Sequence, residues 1–280
     1  VWTATDHAAA FTTPCWWQGK SVSLLLTLTD VGLVALDPAT GRERWNFPFR
    51  SRVADSVTAV TPLVLDDHVL LVAGPGAGAV CLRIDEAGDF SVVWKDRRLL
   101  DSLFNKLVPV GDLVFGFRSM RQGGAPLRAI RWRDGTLAWE SESELDRGQM
   151  LAADGWLIAV GERGHFGTLA LKDRSSWKLD VTDAPILDSP CYSSPALHRG
   201  LLLVRDSKHL FCFDVRAKSS HPTSIGFRGT LPSLSQSAHV AFIRSRPNAL
   251  VTEARGVNGR ANLPAALRQG RLAKSQDPKD

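Results

Sequence analysis

The side chains with chemical potential in this 280-residue chain are seven histidines, four cysteines and a few acidic turns. Neither an HExxH helix nor a histidine pair at metal-ligand spacing occurs among His7, His68, His165, His198, His209, His221 and His239. Ser193-Ser194-Pro195 lacks the flanking glycines of a nucleophile elbow, so it gives no support to a serine hydrolase. Residues 74–78 read Gly-Pro-Gly-Ala-Gly, a type of run whose N–H groups can cradle phosphate. With no following Lys-Ser/Thr and apolar strands on both sides, it reads as a strand connection. Asp6-His7 and Asp66-Asp67-His68 are acidic-His turns of a kind that can bind a cation, but solvated turn polarity explains them. No catalytic, cofactor or metal residues are therefore assigned. Trp16, Trp17, Phe104 and Asn105 stand in loops and are the candidate partner surface, because aromatic side chains anchor interfaces.

The cysteines Cys15, Cys81, Cys191 and Cys212 form no CxxC. Cys191 and Cys212 bracket one hairpin and are placed either to pair in an oxidising compartment or to remain buried thiols. Net charge is +5, which raises the question of nucleic acid. Ten of the 34 Lys/Arg but three of the 29 Asp/Glu fall from Lys218 onward, leaving 24 basic and 26 acidic residues before it. The basic excess thus belongs to the tail, where no aromatic side chains alternate with it for base stacking, so nucleic-acid binding is not expected. No apolar run approaches the 18 residues needed to read a membrane-spanning helix.

The elements that position these residues follow a repeat. Gly32 to Trp45 reads as an apolar strand, a tight turn and a tryptophan: Asp37 and Thr40 can accept turn N–H groups, and Gly41 can take positive φ. The frame returns with Ala129, Gly135 and Trp139, at the same six- and four-residue steps as Ala35, Gly41 and Trp45. A looser copy ends at Trp94 and another at Trp177. Trp2, Trp45, Trp94, Trp139 and Trp177 follow at intervals of 43, 49, 45 and 38 residues. Strand pairs are expected at 22–28 with 33–37, 68–73 with 79–84, 112–117 with 127–131, 156–160 with 167–171 and 201–204 with 209–214. Short strands at this interval describe blades, small sheets that must stack to bury their faces. Leu99–Leu107 alone looks helical.

The pattern Ala-x-Asp-x-x-Thr-Gly-x-x-x-Trp resembles the tryptophan-docking repeat of the bacterial quinoprotein-like propellers, fully over Val31–Trp45 and in frame over Ala129–Trp139. Arg131 replaces the motif Asp in that second copy, which implies a turn without its side-chain acceptor. The resemblance implies an all-β fold, a β-propeller of PQQ-like (WD40-like) repeats. Four to five blades of an incomplete propeller would be present, at about 12–47, 57–95, 106–140, 149–178 and 193–217, with residues 1–11 ending a preceding one. Residues 218–280 lose the period and every Trp; they read as an irregular, basic, low-order tail that leaves the fifth blade unfinished.

By the same resemblance the docking residues Trp2, Ala35, Asp37, Thr40, Gly41, Trp45, Trp94, Gly135, Trp139 and Trp177 are structural, and the compartment is the periplasm, cell envelope or exterior. Function then reads as a non-catalytic scaffold binding a protein, peptide or glycan at its loops, with no cofactor. One alternative is a fragment of a pyrroloquinoline-quinone-dependent alcohol dehydrogenase, which would use PQQ and Ca²⁺. Against it, the chain has no vicinal Cys-Cys and no assignable Glu, Asn and Asp ligand set. A further alternative is an envelope-assembly scaffold similar to the propeller lipoprotein of the BAM complex.

Overall fold

The computed structural model describes residues 1–51, 53, 58–118, 125–141 and 145–216, together with the backbone of 240–243. Within them the chain is all-β, and the only helix is one 3₁₀ turn at Arg174–Ser176. It divides into two compact units, Val1–Gly148 and Gln149–Asp280.

The first unit holds three four-stranded antiparallel sheets with strands in chain order. Blade 1 is β1 (Cys15–Gln18), β2 (Ser23–Leu28), β3 (Gly32–Leu36) and β4 (Glu43–Pro48). Blade 2 is β5 (Leu63–Leu65), β6 (His68–Ala73), β7 (Gly78–Ile84) and β8 (Phe90–Asp96). Blade 3 is β9 (Val108–Val110), β10 (Leu113–Phe117), β11 (Leu127–Arg131) and β12 (Thr136–Glu140). The second unit holds blade 4, from β13 (Gly148–Ala153), whose first residue is the last of the first unit, β14 (Trp156–Gly161), β15 (Phe166–Ala170) and β16 (Asp180–Val181). Blade 5 follows with β17 (Ala196–His198), β18 (Leu201–Arg205), β19 (Leu210–Asp214) and β20 (Val240–Ile243).

The sequence dictates which strands are central. β3, β10 and, after His68, β6 are continuous apolar runs, and all three strands are buried at every position because both faces of the sheet are covered. The fourth strands alternate or face solvent, as β4 and β8 do. In unit 1 the core lies in two seams. Leu24, Leu26, Leu33 and Ala35 of blade 1 pack against Val69, Leu71, Val80 and Leu82 of blade 2. The opposite face of blade 2, with Leu70, Val72, Ala79 and Cys81, packs against Val114 and Ile130 of blade 3. In unit 2, Ile158, Val160 and Phe166 meet Leu202, Val204, Phe211 and Phe213.

Two expectations need correction. The fifth blade is completed: β20 pairs with β19, Ala241 standing opposite Cys212. A search for a closing Trp misses a four-residue apolar strand lying beyond a long connection. The rest of the tail expectation over 218–280 lies outside the described residues. Leu99–Leu107 is not helical but an irregular connection. Its start is fixed by Asp96, whose Oδ1 accepts the N–H groups of Arg98 and Leu99. Leu99, Leu100 and Leu107 serve the second seam and do not form a helix face.

Candidate functional site

Trp2, Trp45 and Trp94 each reach to a turn of the blade that follows. Trp45, on β4, donates its Nε1–H to the carbonyl of Gly88 in blade 2 at 2.7 Å. Trp94, on β8, donates to the carbonyl of Trp132 in blade 3 at 2.8 Å. Trp2 makes the corresponding bond to Pro38 in blade 1 at 3.0 Å. A buried indole N–H needs an acceptor, and a turn carbonyl that the ladder does not use supplies it. Glycine completes two of these seats: a Cβ on Gly135 would lie 2.6 Å from the Trp94 ring, and one on Gly41 would collide with the Trp2 ring. Both glycines hold positive φ, +72° at Gly135 and +74° at Gly41, so the turn and the seat impose one requirement.

The outer strand is offset to aim each ring. Trp45 stands opposite Ala35, Trp94 opposite Cys81 and Trp139 opposite Ala129, and in all three blades the register slips immediately beyond that pair. The unpaired residues are Arg44, Val93 and Ala138, each directly before the tryptophan. Such β-bulges twist a strand and re-aim its side chains. Trp45 then packs 4.8 Å from Phe90 across the first seam. Trp139 and Trp177 are both partly buried. Trp177 follows the 3₁₀ turn, with the Arg174 guanidinium 5.9 Å from its ring.

Carboxylates lock the turns that carry these seats. Asp37 Oδ1 accepts from Thr40 N and Ala39 N, which holds its pKa below the usual carboxylate range; Thr40 Oγ1 accepts from Arg42 N. In blade 3 the turn has not lost its acceptor, contrary to the reading of Arg131. Asp134 takes the role, accepting from the hydroxyl and N–H of Thr136, and its pKa is lowered for that reason. Asp173 does the same for Ser175.

The candidate surface residues separate. Trp16 is 54% exposed, with its Nε1–H on Gln18 Oε1 at 3.1 Å. Trp17 is 3% exposed and lies in the first seam's core, because side chains alternate along β1. Asn105 is also buried, donating to the Gly148 carbonyl at 2.5 Å, while Phe104 is partly exposed beside Arg147. Neither Trp17 nor Asn105 therefore belongs to a surface. Trp16 pairs with Leu25, and neither belongs to the first seam's core.

Sequence reading missed two residues. Trp132 is buried, gives its carbonyl to Trp94, donates to Gly111 at 3.2 Å and stacks under Arg133 at 4.1 Å. Its place inside a docking turn was the available signal. Asp206, 3% exposed, accepts from the amides of Lys208, His209 and Asp188. Burial pushes its pKa up, but these bonds outweigh it and the pKa is lowered.

Asp188, Asp206 and His209 form the one group of potential metal ligands among the described residues. Both Asp206 oxygens already accept backbone N–H groups, so the cluster fits a locked hairpin turn. His68 contacts Asp67 at 2.6 Å, and Arg83 shares that carboxylate at 2.8 Å, so this acidic turn is paired internally. The glycine-rich connection at 74–78 packs backbone against backbone: a Cβ on Gly74 would meet the Asp101 carbonyl, and one on Gly78 the Asp96 carbonyl. All four cysteines are free thiols. Burial pushes Cys81 up to about 12 and Cys191 to about 11.

The chain is similar to several solved structures. The crystal structure of BamB from Moraxella catarrhalis is 15% identical with a TM-score of 0.47, covering 72% of this chain and 56% of that one. The computationally designed protein Ika8 is 12% identical with a TM-score of 0.53, covering 75% and 60%. The C-terminal domain of Pseudomonas aeruginosa PilY1 is 12% identical with a TM-score of 0.50, covering 72% and 58%. At such identities a likeness speaks for fold alone. The chain spans between 56% and 60% of the length of these structures. No curated protein matches it in sequence. The family model described as outer membrane protein assembly factor BamB matches residues 1–221. That span takes in all three blades of the first unit and most of the second, so the chain belongs to the BamB-like family of PQQ-type repeat β-propellers.

Proposed function

We propose that this protein is a non-catalytic scaffold of the cell envelope that binds a protein partner through the loops joining its blades. The observation that carries this reading is the use made of its reactive side chains. Asp37, Asp134, Asp173 and Asp206 each accept backbone N–H groups within their own turns, and Asp67 is held by His68 and Arg83. Groups engaged in this way position strands and indoles rather than a reacting bond. Membership of a family described by an outer-membrane assembly factor supports the envelope and the protein partner. No helix among the described residues is long and apolar enough to cross a membrane.

The test places a photo-crosslinking amino acid at Phe104, between blades 2 and 3, and in a second variant at Val53, 53% exposed between blades 1 and 2, within the full chain incubated with an envelope fraction. The expected result is an adduct with one discrete protein, competed away by unlabelled chain. In parallel the chain is titrated with PQQ and Ca²⁺ while absorbance is followed. Stoichiometric quinone binding with alcohol-dependent dye reduction, or failure of both positions to yield a competable adduct, would overturn the scaffold reading.

A further inference from the structure

The two ends of blade 2 differ in charge. Its strands are antiparallel, so the turns at 66–67 and 85–89 share one end, while loop 74–78 and the exit of β8 share the other. The turn end carries Asp66, Asp67, Asp85, Glu86 and Asp89. Arg133, Arg83 and Lys20 pair with Asp66, Asp67 and Glu86 there, which leaves acid in excess. At the other end the excess is basic.

Two connections meet at loop 74–78. Ser51, on the connection from blade 1, donates its hydroxyl to the Pro75 carbonyl at 3.0 Å. On the other side a Cβ on Gly78 would meet the Arg97 Cα, and one on Gly74 the Asp101 carbonyl, so the connection to blade 3 lies against the same loop. Among the described residues of 49–62 and 96–107, Arg50, Arg97, Arg98 and Lys106 are exposed cations and Asp96 is the one exposed carboxylate. Asp96 is occupied with its own turn: Oδ1 accepts the N–H groups of Arg98 and Leu99. Asp101 is 1% exposed, with Arg118 Nε 3.8 Å from its carboxylate, and adds little negative charge to the surface. The exposed Val53 and the partly exposed Phe104 lie on the same two connections and set apolar surface beside the guanidinium groups.

We propose that this end of blade 2 binds an acidic segment of a partner protein, with carboxylates on Arg50, Arg97 and Arg98 and apolar side chains against Val53 and Phe104. The inference rests on the scaffold reading for the partner being a protein, and adds that partner's chemistry. Guanidinium groups hold carboxylates through paired, charge-assisted hydrogen bonds, and arginine and aromatic side chains are enriched at interfaces. The acidic turn end repels the same segment, so the field of the blade orients the encounter.

The probe is a fluorescein-labelled synthetic peptide of alternating Glu and Leu, titrated with the full chain and followed by anisotropy. Saturable binding is expected, weakening as salt rises from about 0.05 to about 0.5 M because exposed charges are screened. Arg97→Glu combined with Arg98→Glu should weaken it about tenfold or more, since the reversed charges repel the peptide. Arg97→Lys with Arg98→Lys should retain most of the binding, and Lys20→Glu, at the acidic end, should leave it unchanged. The turn with Asp96 uses the backbone N–H of Arg98, so the reversals spare it, and circular dichroism checks the fold. Absence of peptide binding, with or without capture by phosphatidylglycerol vesicles, equal weakening by Lys20→Glu, or indifference of a folded protein to the double reversal would each overturn the proposal. The crosslinking test separates it from the scaffold reading. An envelope adduct from Val53 that survives the double reversal overturns this inference alone; peptide binding that obeys the variants while no envelope adduct forms overturns the scaffold reading alone.

Discussion

Trp45 on blade 1 gives its indole hydrogen to the Gly88 carbonyl of blade 2, 43 residues further along the chain. The bond joins two blades that are each too thin to bury their own faces, and the indole behind it covers Phe90. Trp94 repeats the arrangement at the second seam.

The two parts of that contact separate by substitution. Trp45→Ala should destabilise the first unit by roughly 3–5 kcal/mol, the cost typical of truncating a large core aromatic. Trp45→Phe keeps most of the apolar surface but leaves the Gly88 carbonyl unpaired, for about 1–3 kcal/mol. Urea denaturation followed by circular dichroism should rank wild type, Phe and Ala in that order. Equal losses for the two variants would show that the hydrogen bond, not the ring, sustains the seam.

Gly135 and Gly111 both hold positive φ, +72° and +59°, but an added Cβ would meet a ring only at Gly135 and nothing within 4 Å at Gly111. Gly111→Ala should therefore cost only the left-handed backbone penalty, roughly 1 kcal/mol. Gly135→Ala adds the collision with Trp94 and should cost several-fold more. Thermal denaturation of the pair measures the difference, and a similar loss in both would remove the steric part of the account.

Asp206 should make stability depend on acid. Its folded pKa is lowered, so the carboxylate contributes stability that is complete above the unfolded value, near pH 4. That contribution fades as pH falls through the still lower folded value, because the unfolded chain then binds the proton more readily. Asp206→Asn should lower the melting temperature at pH 7 and flatten its decline below about pH 4. An unchanged acid limb in the variant would contradict the assignment.

Thiol reactivity should follow burial. Cys81, raised to about 12, and Cys191, raised to about 11, hold negligible thiolate at pH 8 and should resist a disulfide reagent until the chain unfolds. Cys15 and Cys212, only partly buried, should react first. Rapid labelling of Cys81 in the folded protein would contradict the seam that covers it.

The repeat was legible because its constraints are local. A turn needing Asp and Gly, and a tryptophan a fixed distance beyond, are written in a dozen consecutive residues such as Ala35–Trp45. What escaped depends on distant residues. β20 has no motif and gains its place from pairing with β19. Trp17 and Asn105 looked like loop residues, yet strand alternation buries one and a bond to Gly148 orders the other. In the blade 3 turn the acceptor moved from the motif position to Asp134, an exchange visible only once the Thr136 amide is seen to need a partner.

The indole-to-carbonyl contacts also give the array a direction. Blades 1 and 2 each supply the plug and the blade after each supplies the socket, so dividing the protein between blades 1 and 2 yields unlike halves. The leading half would present Trp45 as a bare hydrophobic plate, on the order of 150–250 Å², and would be prone to clump. The trailing half would keep a vacant socket of polar backbone that water fills readily. Excised pieces should accordingly differ in solubility according to which side of the cut keeps the tryptophan.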